Sequence, residues 1–284
     1  MKKLLVPLDF TDISEYGLQL AAQIGNHIEV EIIMLNYINP PTEGGFSSIG
    51  DITSEGELAE DQAFMAAIVK KSRENMEELI RKYAAVSKAQ FNPRLQIGKL
   101  EFIDDYIKDN ESDLVVMGTS GESTFSEIFL GNHTEQVIRI SQCPVLSVKD
   151  TVNKFEPSDI VLATDLHTGS KVEIAFIKEF ADWFGSKIHL LHVVKDDKQV
   201  DKAKENEVKK YADEHGLDHY DTHVLAGDKE DVIVNFVKRN KIGMVAVTTR
   251  ARRGLNNLFF GSLSEDLVKE MDIPVLVLTV NMEN

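Results

Sequence analysis

One stretch of this chain is written twice. Leu4-Leu5-Val6-Pro7-Leu8-Asp9 returns as Ile160-Val161-Leu162-Ala163-Thr164-Asp165, each an apolar run that ends on Asp and leads through a polar turn into an amphipathic segment. Cys143-Pro144-Val145-Leu146-Ser147-Val148 returns as Ile273-Pro274-Val275-Leu276-Val277-Leu278. Asp9 and Asp165 are 156 residues apart and Pro144 and Pro274 are 130 apart, so the first copy carries a net insertion of 26 residues. Self-similarity on this scale fixes the architecture before any single element does. The chain reads as two tandem units, 1–150 and 151–284, joined through the polar stretch Asp150–Ser158 with its Pro157.

Each unit predicts the same order of elements. In the first, Lys3–Asp9 is a buried strand and Ser14–Ile24 a helix, apolar at Leu18, Ala21 and Ala22. Glu29–Tyr37, Phe91–Ile97, Leu114–Met117 and Val145–Val148 are further strands, and Gln62–Ala85, Phe102–Asn110 and Asn132–Ser141 are helices. Strands without polar alternation, separated by helices, predict a parallel sheet covered on both faces. The fold class is therefore α/β, two tandem Rossmann-like units, each a five-stranded parallel sheet. The inserted residues fall mostly between Ile38 and Asp61, rich in Gly, Pro and Ser, and predict a loop whose acidic end, Glu55–Asp61, is solvated.

Composition narrows the function. Thirty-one Lys+Arg against 47 Asp+Glu leave a net charge of −16, which argues against a nucleic-acid binder and against docking on anionic membranes. No apolar run reaches the roughly 18 residues of a membrane helix, and the single Cys143 excludes an internal disulfide. The expectation is a cytoplasmic protein. Cys143 reads as a small buried hydrophobe, and Trp183, with Phe180 and Phe184, as core.

The chemistry-bearing segment follows the fourth strand: Met117-Gly118-Thr119-Ser120-Gly121-Glu122, continuing to Gly131-Asn132. In open parallel sheets ligands bind beyond the carboxyl ends of the strands. A strand that runs into a glycine loop and then a helix aims backbone N–H groups at phosphates. Two residues separate Gly118 from Gly121 and nine separate Gly121 from Gly131. This spacing resembles the G-x2-G-x9-G-(S/T) signature of the universal stress protein family, and from Lys3 to Leu278 the chain resembles a tandem member.

In ATP-binding members the first-strand Asp contacts the adenine. The resemblance thus implies Asp9 and Tyr37 at the base, Met117 and Gly118 near the ribose, and Gly121, Gly131 and Asn132 around the phosphates. It implies ATP or AMP as ligand, with or without Mg2+, and an unidentified protein partner. It also implies that Pro144–Val148 and Pro274–Leu278 pair as an intramolecular pseudo-dimer; association of whole chains into a homodimer is compatible with it. Asn132 stands where the family has Ser or Thr, and Glu122 places a negative charge beside the loop. Asn132 with Glu135, and Ser262 with Glu265, read equally well as capping boxes that need no ligand.

In the second half Thr248 and Ala251 replace the first two glycines of a loop running to Gly261-Ser262. A second site there would use Asp165, Val193, Arg250, Gly261 and Ser262, with Arg250, Arg252 and Arg253 as anion contacts. His215, His219 and His223 are spaced by four, with His189 and His192 on the preceding strand. Because His219 and His223 belong in or near a strand, that spacing implies no convergence, and no metal site is expected. No G-x-S-x-G elbow, Walker sequence, Cys-x-x-Cys or H-E-x-x-H is present. The expected function is a regulatory, non-catalytic adenine-nucleotide-binding stress-response protein. The alternative is an interaction scaffold of the same fold without nucleotide.

Overall fold

The computed structural model describes residues 1–38, 55–98, 103–119, 137, 138, 141, 143–166, 171–251 and 262–281. The first half runs β1 (Lys2–Pro7), α1 (Asp12–Ile24), β2 (Val30–Ile38), α2 (Glu55–Ala84), β3 (Gln90–Ile97), α3 (Ile103–Asn110), β4 (Leu114–Gly118) and β5 (Val145–Val148). The second runs β6 (Asp159–Ala163), α4 (Lys171–Phe184), β7 (Lys187–Val194), a 3-10 turn at Asp197–Gln199, α5 (Lys202–Glu214), β8 (Tyr220–Ala226), α6 (Lys229–Asn240), β9 (Met244–Ala251), α7 (Ser262–Glu270) and β10 (Val275–Asn281). Val137 and Ile138 are helical and fully buried.

Local chemistry explains these boundaries. Thr11 caps α1 by accepting from the Ser14 amide at 3.3 Å, and Asp12 and Glu15 complement the positive end of the helix. The side chain of Asp228 caps α6 in the same way. β4 is all-apolar and buried on both faces, as are β1 and β6 beyond the charged residues Lys2, Lys3 and Asp159 that open them, as parallel strands require. β3 carries Pro93, which is tolerated because β3 is an edge strand. The helix α2 begins at Glu55, seven residues earlier than the expected Gln62. The acidic segment taken for loop is helical because Glu, Ala and Leu are strong helix formers and acidic residues suit a helix N-terminus.

The two expected sheets are one. Strand order is β3-β2-β1-β4-β5-β10-β9-β6-β7-β8, ten strands in all, with parallel pairing described within each half. The seam is antiparallel: Leu276 faces Leu146, Val275 faces Ser147 and Val277 faces Val145. This is the expected strand pairing between halves, and it relates them by a pseudo-twofold through the Leu146–Leu276 pair. Fusion hides two apolar strand edges that separate sheets would expose.

Alternation along the strands builds two cores. Leu4, Ile32, Val116, Leu146, Leu162 and Leu276 face one side, beneath α1, α2, α4 and α5. Leu5, Ile33, Val115, Val145, Val161 and Val277 face the other, beneath α3, α6 and α7. Each core runs through both halves. Phe155, from the joining stretch, packs on Phe180 and Phe184, and Phe184 in turn meets His27 of the first half with ring centroids 4.7 Å apart. Trp183 packs against Phe176 and Phe180 as core. Cys143 is buried, and that burial pushes its thiol up to about 12. Among the described residues no helix is long and apolar enough to cross a membrane.

Candidate functional site

The carboxyl ends of β2, β1 and β4 are neighbours, and they carry Tyr37, Asp9 and Gly118. Asp9 sits in the turn from β1 into α1. Its Oδ1 accepts from the Thr11 amide at 3.1 Å and the Thr11 hydroxyl at 2.7 Å. Its Oδ2 is buried and has no hydrogen-bond partner among the described residues. A buried carboxylate oxygen without a donor costs free energy, so it is a feature that a ligand donor would satisfy. The next residue, Phe10, has φ +65°, a left-handed conformation that is uncommon for a bulky residue and clusters at functional turns.

The turn is held from the neighbouring strand. Asn36 is buried in β2 and donates through Nδ2 to the Leu8 carbonyl at 2.8 Å, tying the last turn of β1 to β2. Next to it, Tyr37 is partly buried; burial, then the proximity of Tyr106 and Asp105, pushes its hydroxyl up to about 12. It keeps its proton at neutral pH and so remains a donor.

At Gly118 the sequence reading and the packing diverge. A Cβ there would lie 1.6 Å from the Ile13 carbonyl oxygen, and a Cβ on Gly17 would lie 2.9 Å from the Gly118 nitrogen. The first turn of α1 therefore presses directly on the end of β4, and Gly118 is demanded by that contact before any ligand is considered. The Met117 side chain is fully committed to the core, so only its backbone faces the site. Gly121, Glu122, Gly131 and Asn132 lie outside the described residues, as does Gly261.

The second half repeats the turn and alters the site. Leu166, after Asp165, has φ +61°, matching Phe10. His192 takes the place of Asn36, with Nδ1 3.0 Å from the Thr164 carbonyl. Asp165, however, is exposed where Asp9 is partly buried. Val193 packs against the second core. The loop expected from Thr248 onward does not start there. β9 continues through Thr248, Thr249, Arg250 and Ala251, paired with Leu278, Thr279, Val280 and Asn281 of β10. Thr is a β-branched strand former, and without glycine nothing releases the chain from the sheet. Arg250 thus belongs to a strand, and Ser262 opens α7.

A second correction concerns the histidines. Two of them do converge. His189 in β7 and His223 in β8 stack with centroids 5.3 Å apart, and His189 Nδ1 lies 3.1 Å from His223 Nε2. His189 Nε2 lies 2.8 Å from Asp159 Oδ1 at the start of β6. Asp221, directly opposite His189 in the strand register, pairs with Lys187 at 2.5 Å. Burial and then the neighbouring His189 hold His223 below the ordinary imidazole value, against the pull of Asp221. Spacing along the chain concealed this, because the partners come from adjacent strands. The available signal was Asp221-x-His223, an alternation that puts both residues on one face of a strand.

A profile of the universal stress protein family matches residues 1–149 and again residues 158–279. The chain belongs to the universal stress protein family. One family member from Methanocaldococcus jannaschii is 24% identical over 159 residues, covering 52% of this chain and 82% of its own length. A second from the same organism is 26% identical over 163 residues, covering 52% of this chain and 94% of its own. The crystal structure of a universal stress protein from Archaeoglobus fulgidus has the same fold along the full chain. It superimposes with a TM-score of 0.68 at 20% identity, covering 99% of this chain and 97% of that one.

Proposed function

We propose that this protein binds an adenine nucleotide in its first half, residues 1–150, and acts in the stress response as a regulatory binding module rather than by turnover. The observation that carries this reading is the buried Oδ2 of Asp9 at the carboxyl end of β1, which has no hydrogen-bond partner among the described residues. Adenine offers an exocyclic N6 amino group as donor where guanine offers the O6 acceptor. A carboxylate only accepts, so an oxygen placed at the six-position pairs with the N6 amino group of adenine and not with the O6 of guanine, whose N1–H and N2 donors lie elsewhere on the ring. Tyr37 stands at the end of the next strand, and the backbone of Met117 and Gly118 would border the ribose. Gly121, Gly131 and Asn132 belong to the motif whose backbone would cradle phosphates, with Mg2+ entering, where present, on the phosphates themselves. The second half, residues 151–284, lacks this combination: Asp165 is exposed and Thr248–Ala251 stays in the sheet.

A second reading has one observation behind it. Gly118 is explained by its contact with Ile13 alone, so part of the glycine pattern serves packing in an interaction scaffold that binds no nucleotide. Calorimetric titration of the nucleotide-free chain with ATP, AMP and GTP separates the two. We expect ATP or AMP to saturate, GTP to bind at least ~10-fold more weakly, and Asp9→Ala to lose ~10–100-fold in adenine affinity, the worth of a hydrogen bond to a charged group. Absence of heat with all three, confirmed by equilibrium dialysis, would establish the scaffold instead.

A further inference from the structure

We propose that His189, His223 and Asp221 form a binding site for a divalent transition metal of the zinc class, at the amino-terminal ends of the second-half strands and therefore at the opposite end of those strands from Asp165. One ligand atom from each of the three residues lies within 4.8 Å of the others. Two imidazole nitrogens and a carboxylate are a donor set that suits zinc, copper, nickel or cobalt over magnesium or calcium. The 3.1 Å between His189 Nδ1 and His223 Nε2 is near the separation of two ligands on one ion. Nitrogens about 2.0–2.1 Å from a tetrahedral centre sit roughly 3.3 Å apart.

The ring geometry is also prepared. A carboxylate accepts, so Asp159 Oδ1 takes the proton on His189 Nε2, which in the neutral ring leaves the Nδ1 lone pair aimed at His223. A carboxylate holding the far nitrogen of a liganding histidine is the usual support that fixes its tautomer and orientation. In the empty site His223 Nε2 donates to that lone pair; on metal binding its proton moves to Nδ1 and the metal takes the place of the hydrogen bond. Phe236 of α6 stands edge-on to both rings, with centroids 5.9 and 4.7 Å away, and forms an apolar wall. The charged groups around the rings are Asp159, Asp221 and Lys187. With neutral imidazoles their sum is one negative charge, which favours a cation, and Lys187 can swing from Asp221 on its flexible stem.

Packing offers no account of these residues. In the strand register of the first half the matching positions are Ile33 for His189, Asn92 for Asp221 and Arg94 for His223, with Lys3 in the place of Asp159. Ile33 is buried hydrocarbon. The second half has imidazole there, with a liganding carboxylate and a carboxylate support around it that the matching positions of the first half lack.

The test uses the full-length, untagged chain, stripped with chelator and titrated with Co2+ and Zn2+. We expect a saturable visible Co2+ spectrum, displaced by about one equivalent of Zn2+ per chain. His223→Gln, His189→Ala and Asp221→Asn should each weaken it at least ~10-fold, and Asp159→Asn by ~10–100-fold, the usual effect of removing such a support. His219→Gln, on the exposed surface just before β8, should change nothing. Zn2+ should shift the 15N resonances of His189 Nδ1 and His223 Nε2 in the wild-type chain. The Asp221 side chain is about half exposed, at 48%, so its variant keeps the test valid even where a histidine variant unfolds. Absence of a saturable spectrum with millimolar Co2+, unshifted imidazole resonances, or Zn2+ affinity undiminished in Asp221→Asn and Asp159→Asn together would overturn the proposal.

Discussion

At the scale of single residues, the two halves are distinguished by what surrounds equivalent atoms. Asp9 was legible in the sequence because an apolar strand ending on Asp occurs twice; that its Oδ2 is buried and unpaired among the described residues, while Asp165 is exposed, depends on contacts no pattern encodes. Gly118 was legible as a glycine, but its reason was not, because the Ile13 carbonyl reaches it only through the docking of α1 on β4. Gly118→Ala should therefore destabilise the chain by about 1–3 kcal/mol, the usual cost of overpacking, measurable by urea denaturation with no ligand present. Glu15 offers a pH-dependent test. Burial alone would raise its carboxyl, but hydrogen bonds from Lys82 and Tyr83 outweigh this and hold it below its ordinary 4.5. A depressed carboxylate contributes stability that is present above the unfolded value and lost as pH falls through the folded one. The wild-type advantage over Glu15→Gln should thus be constant at neutral pH and shrink below about pH 4.5; an advantage that grew on acidification would contradict it.

At the scale of elements, strand and helix order were readable from apolar runs, and the failures occurred where local and global preferences competed. The acidic start of α2 was misread because charge suggested solvent more strongly than helix propensity suggested a helix. In the second half Thr248 and Ala251 stood out as replacements for two glycines within an expected loop; the structure instead keeps Thr248–Ala251 in the sheet, paired with β10. Ala251→Gly should accordingly create no nucleotide site and should cost roughly 0.5–1 kcal/mol through the entropy of glycine in a strand, as read from thermal melts and a titration of the variant. The C-terminus of α6 carries a different strain. Lys241 occupies the left-handed region at φ 52° and is exposed, so Lys241→Gly loses no packing. That substitution should stabilise by about 0.5–1 kcal/mol, part of the left-handed penalty offset by the extra unfolded-state freedom of glycine.

At the scale of the whole molecule, the duplication has become one object. The antiparallel seam at Leu146–Leu276 joins two sheets, and both cores extend across it. Lys2 Nζ reaches Glu179 Oε2 at 3.0 Å, and Gln23 receives the Phe155 amide at 2.6 Å, so side chains also bridge the halves. Repeated sequence made the tandem architecture evident. The fusion followed from resemblance rather than from the residues, because pairing between distant strands leaves no periodic trace. Phe155→Ala should cost roughly 3–5 kcal/mol, typical of a buried aromatic truncation. Because Phe155 packs between the halves, calorimetry should show one transition moving as a unit, not one half melting alone.

The central claim is that one of two duplicated turns retained a nucleotide site and the other did not. Counting bound ATP by equilibrium dialysis on the intact, nucleotide-free chain tests it most directly. The account predicts one ATP per chain at saturation, still one in Asp165→Ala, and clearly less than one in Asp9→Ala at the lowest concentration that saturates the wild type. Two equivalents per chain, or a single equivalent that survives Asp9→Ala and vanishes with Asp165→Ala, would contradict it.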